Sequence, residues 1–344
     1  MNLDEAIRLR DPAQLPSRRD EDWRWTDLRG LLRTIPEPSS PLGPQAIGVG
    51  PFEGLAAESL VVANGSGPET LRVAPGETRT VILRHVSRGD GAHSARLRIE
   101  VGGGARLTLL ESHEGGGSSL SLLGVDLTLE DGASCERLVL ADLDPEAVAV
   151  VELDVELSAG GRYAQTVLTT GARRQRFETR LRHPGLRSEA RLDGVYILAG
   201  RKHADLTSVV RHTGPDGRTD QLTRGFADGQ SRAVFQGRIT VQEGADGVDA
   251  RMAHNALILS DRAEVDARPE LEIYADDVAC AHGATVGALD DDVLFYMRQR
   301  GLAETDARAL LAVSFLGEVI ERIDFAAGAE RVRSWLLARI GAGV

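Results

Sequence analysis

The phrase Gly104-Ala-Arg-Leu-Thr-Leu returns as Gly132-Ala-Ser-Cys-Glu-Arg-Leu and again as Gly161-Arg-Tyr-Ala-Gln-Thr-Val, at nearly equal spacings. Each restart is a glycine followed by a strand-like run. The same texture fills residues 76–287, where runs such as TVILRHV, ARLRIEV, NALILS and LEIYA alternate with Gly, Asp and Ser turns and no comparable helical period interrupts them. Val248-Asp-Ala-Arg recurs as Val265-Asp-Ala-Arg, each leading into an apolar strand. Repetition of this kind suits stacked coils, in which each coil buries its inward aliphatic residues against the next and glycines make the corners. The fold class predicted is mainly β: a parallel β-helix core, right-handed by the crossover rule, flanked by N-terminal and C-terminal α-helical regions. A two-sheet sandwich is the alternative.

Outward from that core, residues 1–34 read as a helical region in which Trp23 and Trp25 of RRDEDWRWTDL are half-buried docking side chains. Residues 35–75 read as a linker and small α/β preface, because IPEPSSPLGPQAIGVGP holds five prolines. Residues 288–344 turn helical. Asp290 or Asp291 can cap the first helix and Gly301 can close it. A second helix aligns Leu311, Phe315, Val319 and Ile323, widened by Leu316 and Ile320, and a third aligns Val332, Leu336 and Ile340 beside Trp335. These stripes are expected to pack on each other and on the end of the β-helix, with a surplus face for a partner.

A net charge of −12 argues against nucleic acid or an anionic membrane as partner. Two cysteines, Cys135 and Cys280, imply no disulfide framework and a reducing compartment. The first residues lack the apolar core of a signal peptide, and no run approaches the ~20 apolar residues of a membrane span. A soluble, cytoplasmic protein is the expectation. Aromatic residues are only 4% of the chain against 38 glycines, which favours strands with tight turns over aromatic packing.

The stretch with the most suggestive chemistry is Pro269–Gly287, PELEIYADDVACAHGATVG. Residues two apart in a strand share a face, so Cys280 and His282 project together. A thiolate beside an imidazole suits iron or zinc. Two ligands do not close a site, and no second Cys-x-His or Cys-x-x-Cys occurs, so another chain would have to complete it. The alternative is an inert, packed pair. His203, Asp205 and His212 are spread along one coil and a turn and read as polar structure. No phosphate loop, dinucleotide fingerprint or nucleophile elbow is present, which makes the chain a poor enzyme candidate on its own chemistry.

LEIYADDVACAHGATVG followed by DDVLFYMRQRG closely resembles the C-terminal signature of the SufB/SufD family, scaffold subunits of the SUF iron–sulfur cluster assembly system. RRDEDWRWTDL resembles that family's N-terminal motif, and AVFQGRITV with GVDARMAHNALILS resembles the coils before the signature. The likeness runs from about 17 to 325 and is strongest over 232–301. The SufB branch carries Glu-His-Glu-Ala-Thr where this chain reads Ala281-His282-Gly283-Ala284-Thr285, and it uses a cysteine on a neighbouring coil that this chain lacks. The resemblance is therefore to the SufD branch.

It implies a non-catalytic scaffold working with a SufB-like paralogue, as a heterodimer, and with a SufC-like ABC ATPase that hydrolyses ATP and docks on the C-terminal helices. Phe315, Glu318 and Arg322 are the candidate docking residues. A transient iron–sulfur cluster would be shared with the SufB-like chain, none being tightly bound to the isolated chain. His282 maps onto the family's histidine implicated in assembly, with Cys280 as the accompanying thiol. A homodimer of the isolated chain stays open, as do two other functions: a structural adaptor without a ligand role, and a carbohydrate-active β-helix protein.

Overall fold

Lateral pairing decides the architecture. In the computed structural model, which describes residues 3–340, Arg106 pairs with Ser134, Ser134 with Arg162, Arg162 with Glu189 and Glu189 with Arg218, always in parallel. Parallel neighbours need a crossover, and here each crossover is itself a strand of a second sheet. The first sheet holds β1 (Glu58–Ala63), β3 (Thr78–Arg88), β5 (Arg106–Gly116), β7 (Ser134–Asp142), β9 (Arg162–Thr169), β11 (Glu189–Leu198), β13 (Arg218–Ala227), β15 (Val248–Ile258) and β17 (Val278–Gly287). The second holds β2 (Thr70–Val73), β4 (Ala92–Val101), β6 (Leu120–Leu129), β8 (Val148–Leu157), β10 (Arg174–His183), β12 (His203–His212), β14 (Arg232–Val241) and β16 (Glu264–Ile273). The result is a parallel β-solenoid of about eight coils.

Corner geometry explains the repeated glycines. Gly104, Gly132 and Gly160 have φ of 65°, 66° and 64°, the left-handed region that a side chain disfavours. The third corner is Gly160 rather than the Gly161 of the sequence phrase, which makes the two steps between corners equal. Between the sheets lies one apolar core that includes Leu107, Leu109, Val125, Leu127, Val151 and Leu153. The sandwich alternative thus has the layering right and the connectivity wrong.

Three expectations need correction. The solenoid begins at Glu58, not residue 76, because β1 pairs with β3 and β2 with β4. Those two strands are short and separated by Asn64-Gly-Ser-Gly-Pro-Glu, which hides their period within the expected preface. The N-terminal region is only partly helical, with α1 (Leu3–Leu9) and α2 (Leu28–Leu31) joined by turns and single 3-10 turns. It lies along the outer face of the second sheet, where Leu3, Ala6, Leu15 and Leu28 meet Leu120, Leu122, Val148 and Val150.

The C-terminal helices α3 (Asp291–Gln299), α4 (Glu304–Ile320) and α5 (Ala326–Ile340) form as expected, but α4 and α5 cover the flank of the first sheet rather than its end. Leu316, Val319, Ile320, Val332 and Leu336 pack on Leu110, Leu138, Leu168, Val195 and Leu222. The reason is visible in the strands. Adjacent apolar pairs such as Leu109-Leu110 put hydrophobic side chains on both faces of the sheet, and the outer face must be covered. Gly328 allows the approach of α5, since a Cβ there would meet Leu138 Cδ1 at 2.5 Å. No helix among the described residues is long and apolar enough to cross a membrane.

Candidate functional site

Register carries Cys280 and His282 to the inner face of the solenoid. The column Cys135, Tyr163, Ala190, Thr219, Ala250, Cys280 is continuous across the first sheet, as is Arg137, Gln165, Leu192, Gln221, Met252, His282. Both columns point at the second sheet, and both run out at β17. Among the described residues neither β17 nor β16 has a further neighbour, so the last coil leaves two strand edges and the end of the core uncovered.

The two side chains differ in setting. Cys280 is half-buried and packs against the core. Burial pushes its thiol up, opposed by a backbone hydrogen bond from Ala250. Cys135 occupies the same column inside the solenoid, where burial pushes its thiol to about 12 and leaves it inert. His282 is exposed. Among the described residues it makes no hydrogen bond, so neither Asp276 nor Asp277 orients its ring. Among the described residues, neither residue belongs to a group of three His, Cys or carboxylate donors within 4.8 Å of one another. The arrangement can offer a soft sulfur and an imidazole nitrogen to a metal, and it needs further ligands from outside.

Exposed apolar side chains lie on the last coil and on the helix that follows it. Ile273 is 43% exposed, Tyr274 66% and Val286 47% on the last coil, and Phe295 and Tyr296 of α3 are 62% and 57% exposed. Asp290 caps α3 by accepting from the amides of Asp292 and Val293, and Gly301 closes it at φ 92°.

The other residues singled out in the sequence have internal partners. His203 Nε2 donates to the carbonyl of Trp25 at 3.1 Å, and His212 Nε2 lies 3.0 Å from the Thr219 hydroxyl. Asp205 accepts from Thr26, Arg176 and Thr207. These groups fasten the N-terminal segment and a corner. Phe315, Glu318 and Arg322 face the solenoid. The Arg224 guanidinium lies 5.0 Å over the Phe315 ring and ion-pairs with Glu318. Arg322 reaches the buried Asp193 at 3.1 Å and Asp220 at 3.2 Å. Burial pushes Asp193 up to about 7, with Arg322 and Arg191 opposing.

One cluster escaped the sequence reading. His85, Glu111 and His113 stand together inside β3 and β5, with Arg137 donating to both Glu111 oxygens at 2.7 Å. Burial pushes the His85 imidazole down to about 3. The signal is present in the sequence: His85 and His113 stand one coil apart, at the same spacing as Gly104 and Gly132, and are laterally paired.

Fold and geometry define a parallel β-solenoid whose last coil carries a thiol and an imidazole on its inward columns. Residues 84–315 match the SUF system FeS cluster assembly SufBD core domain. The chain belongs to the SufB/SufD family of that system, whose members are scaffold and assembly components, and within it is SufD-like. It is 35% identical over 178 residues to an iron–sulfur cluster assembly SufBD family protein of Synechocystis (52% of this chain, 39% of that one). It is 36% identical over 157 residues to the iron–sulfur cluster assembly protein SufD of Escherichia coli (46% of this chain, 36% of that one). A SufBD family protein of Mycobacterium bovis aligns at 26% identity over 91% of this chain and 86% of its own length. The first two alignments thus span under two fifths of those relatives.

Proposed function

We propose that this chain is the SufD-type scaffold subunit of a SUF assembly complex, and that its open last coil joins a SufB-like paralogue. The nascent iron–sulfur cluster is the cargo of that junction. His282 is a ligand on this side, Cys280 is a second donor or sulfur carrier, and the paralogue supplies the rest. The observation that carries this reading is the position of Cys280 and His282 on inward columns of a coil with two unpaired edges and, among the described residues, no closed three-donor group that includes either. Unpaired strand edges are templates for another chain, and the exposed Ile273, Tyr274 and Val286 of the last coil add apolar area that water solvates poorly. ATP hydrolysis belongs to a SufC-like partner, consistent with the absence of a phosphate loop from this sequence. Because Phe315, Glu318 and Arg322 hold α4 to the solenoid, the docking surface for that ATPase is assigned to the outward side of α4 and α5, where Leu310 and Leu337 are exposed. The compartment is the cytoplasm.

Anaerobic reconstitution with iron and sulfide tests the proposal. The chain alone should hold little cluster, whereas its complex with a SufB-type paralogue should hold cluster stoichiometric with the complex. Full cluster content on the isolated chain, or a stable complex that takes up none, would overturn it.

A further inference from the structure

His85, Glu111 and His113 lie on the inner face of β3 and β5, at the opposite end of the solenoid from Cys280 and His282. His113 Nε2 is 2.6 Å from Glu111 Oε1, His85 Nε2 is 3.7 Å from the same oxygen, and all three donor atoms lie within 4.8 Å of one another. An ion bound at about 2.0–2.2 Å to imidazole and carboxylate donors calls for spacings of this order. The His113–Glu111–Arg137 network is complete without His85. His85 is buried, yet neither of its ring nitrogens has a hydrogen-bond partner. A buried polar group without a partner is costly, and it is the feature a purely structural reading leaves unexplained.

His85 and His113 also line a cavity of about 30 Å³, shared with Ser87, His93 and Ser121. That is room for one water, which needs about 10–15 Å³. Arg137 Nε holds Glu111 Oε2 at 2.7 Å and so fixes the carboxylate from behind. Oε1, which now receives Arg137 Nη2 and His113, is the oxygen turned toward both imidazoles.

We propose that His85, His113 and Glu111 form a binding site for one divalent first-row transition ion of the iron(II) or zinc type, separate from the cluster junction. Two imidazoles and one carboxylate on one side of an ion, with water opposite, are a donor set that such ions accept. The cavity holds the water. On binding, the ion takes the place of the His113 and Arg137 Nη2 hydrogen bonds at Oε1, and Arg137 Nε stays on Oε2.

Cobalt(II) titration of the full chain carrying Cys280→Ser and His282→Ala tests this with the last-coil donors removed. The expected result is uptake of about one cobalt per chain, with visible d–d bands and no thiolate charge-transfer band. Adding His85→Phe should abolish that uptake while leaving the metal-free melting temperature unchanged or higher, because the phenyl ring carries no orphaned nitrogens. His85→Asn gives the same reading if the phenyl ring is not accommodated. No stoichiometric uptake by the parent variant, or uptake that neither His85 substitution reduces, would overturn the site.

Discussion

Arg176→Ala is expected to lower the unfolding free energy by about 3–5 kcal/mol, the usual cost of stranding a buried charge. The Arg176 side chain is fully buried. It donates to Asp205 at 2.6 Å, to Glu178 at 2.9 Å and to the carbonyl of Asp22 at 2.8 Å, and its guanidinium lies 4.3 Å over the Trp23 ring. Alanine would leave the Asp205 carboxylate inside with only hydroxyl partners and a weak amide contact from Gln236. It would also remove one of the posts, beside His203 and Asp205, that tie residues 20–26 to the second sheet. Urea unfolding should therefore shift together with faster proteolysis within residues 3–35. Adding Asp205→Asn should recover part of the loss, since the stranded charge is then gone. A loss below about 1 kcal/mol with an unchanged cleavage pattern would mean that the segment is held mainly by Leu3, Leu15 and Leu28.

His282→Ala is expected to have the opposite profile. Its imidazole is exposed and has no hydrogen-bond partner among the described residues, so stability should change by no more than about 0.5 kcal/mol. Complex formation should persist as well, because the exposed apolar side chains of the last coil are untouched. Cluster content per assembled complex should fall by at least tenfold, since even losing an outer partner of a metal ligand costs about 10–100-fold in affinity. Cys280→Ser discriminates the role of the thiol. Cys280 packs against the core, so a hydroxyl there should cost about 1 kcal/mol whatever the thiol does. A drop in cluster matching that of His282→Ala makes Cys280 a ligand or sulfur carrier, and a small drop makes it packing. A stable His282→Ala complex with native cluster content would remove this histidine from the mechanism.

Strand periodicity and coil repetition are local properties, and the solenoid was legible because its corners repeat. Gly104 and Gly132 mark equivalent positions by residue type alone, and period 2 placed Cys280 and His282 on one face. Which face could not be read locally. That depends on the register of Ala250 with Cys280 and of Met252 with His282, contacts between successive coils that are distant in sequence. The flanks were harder for the same reason. Phe315 sits on a helix stripe that predicts burial and Arg322, just past that helix, reads as a surface charge, but neither signal points to Phe226 or Asp193, which lie on distant strands. The Glu111–Arg137 pair looks like surface charge in the sequence. Only the stacking of β5 on β7 turns both side chains inward and encloses them. The strands β1 and β2 were missed because, at six and four residues, neither is long enough to declare a period.

The claim on which the functional account rests is that the open last coil is where a second chain completes the site. A double variant, Ile273→Lys and Val286→Lys, tests it most directly, because both side chains are exposed in the isolated chain and lysine on an edge strand blocks pairing. The measurement is the mass of the complex with a SufB-type paralogue by light scattering, with thermal unfolding of the variant recorded alongside. The expected result is an unchanged unfolding midpoint together with loss of the complex. A folded variant that assembles with native affinity would contradict it.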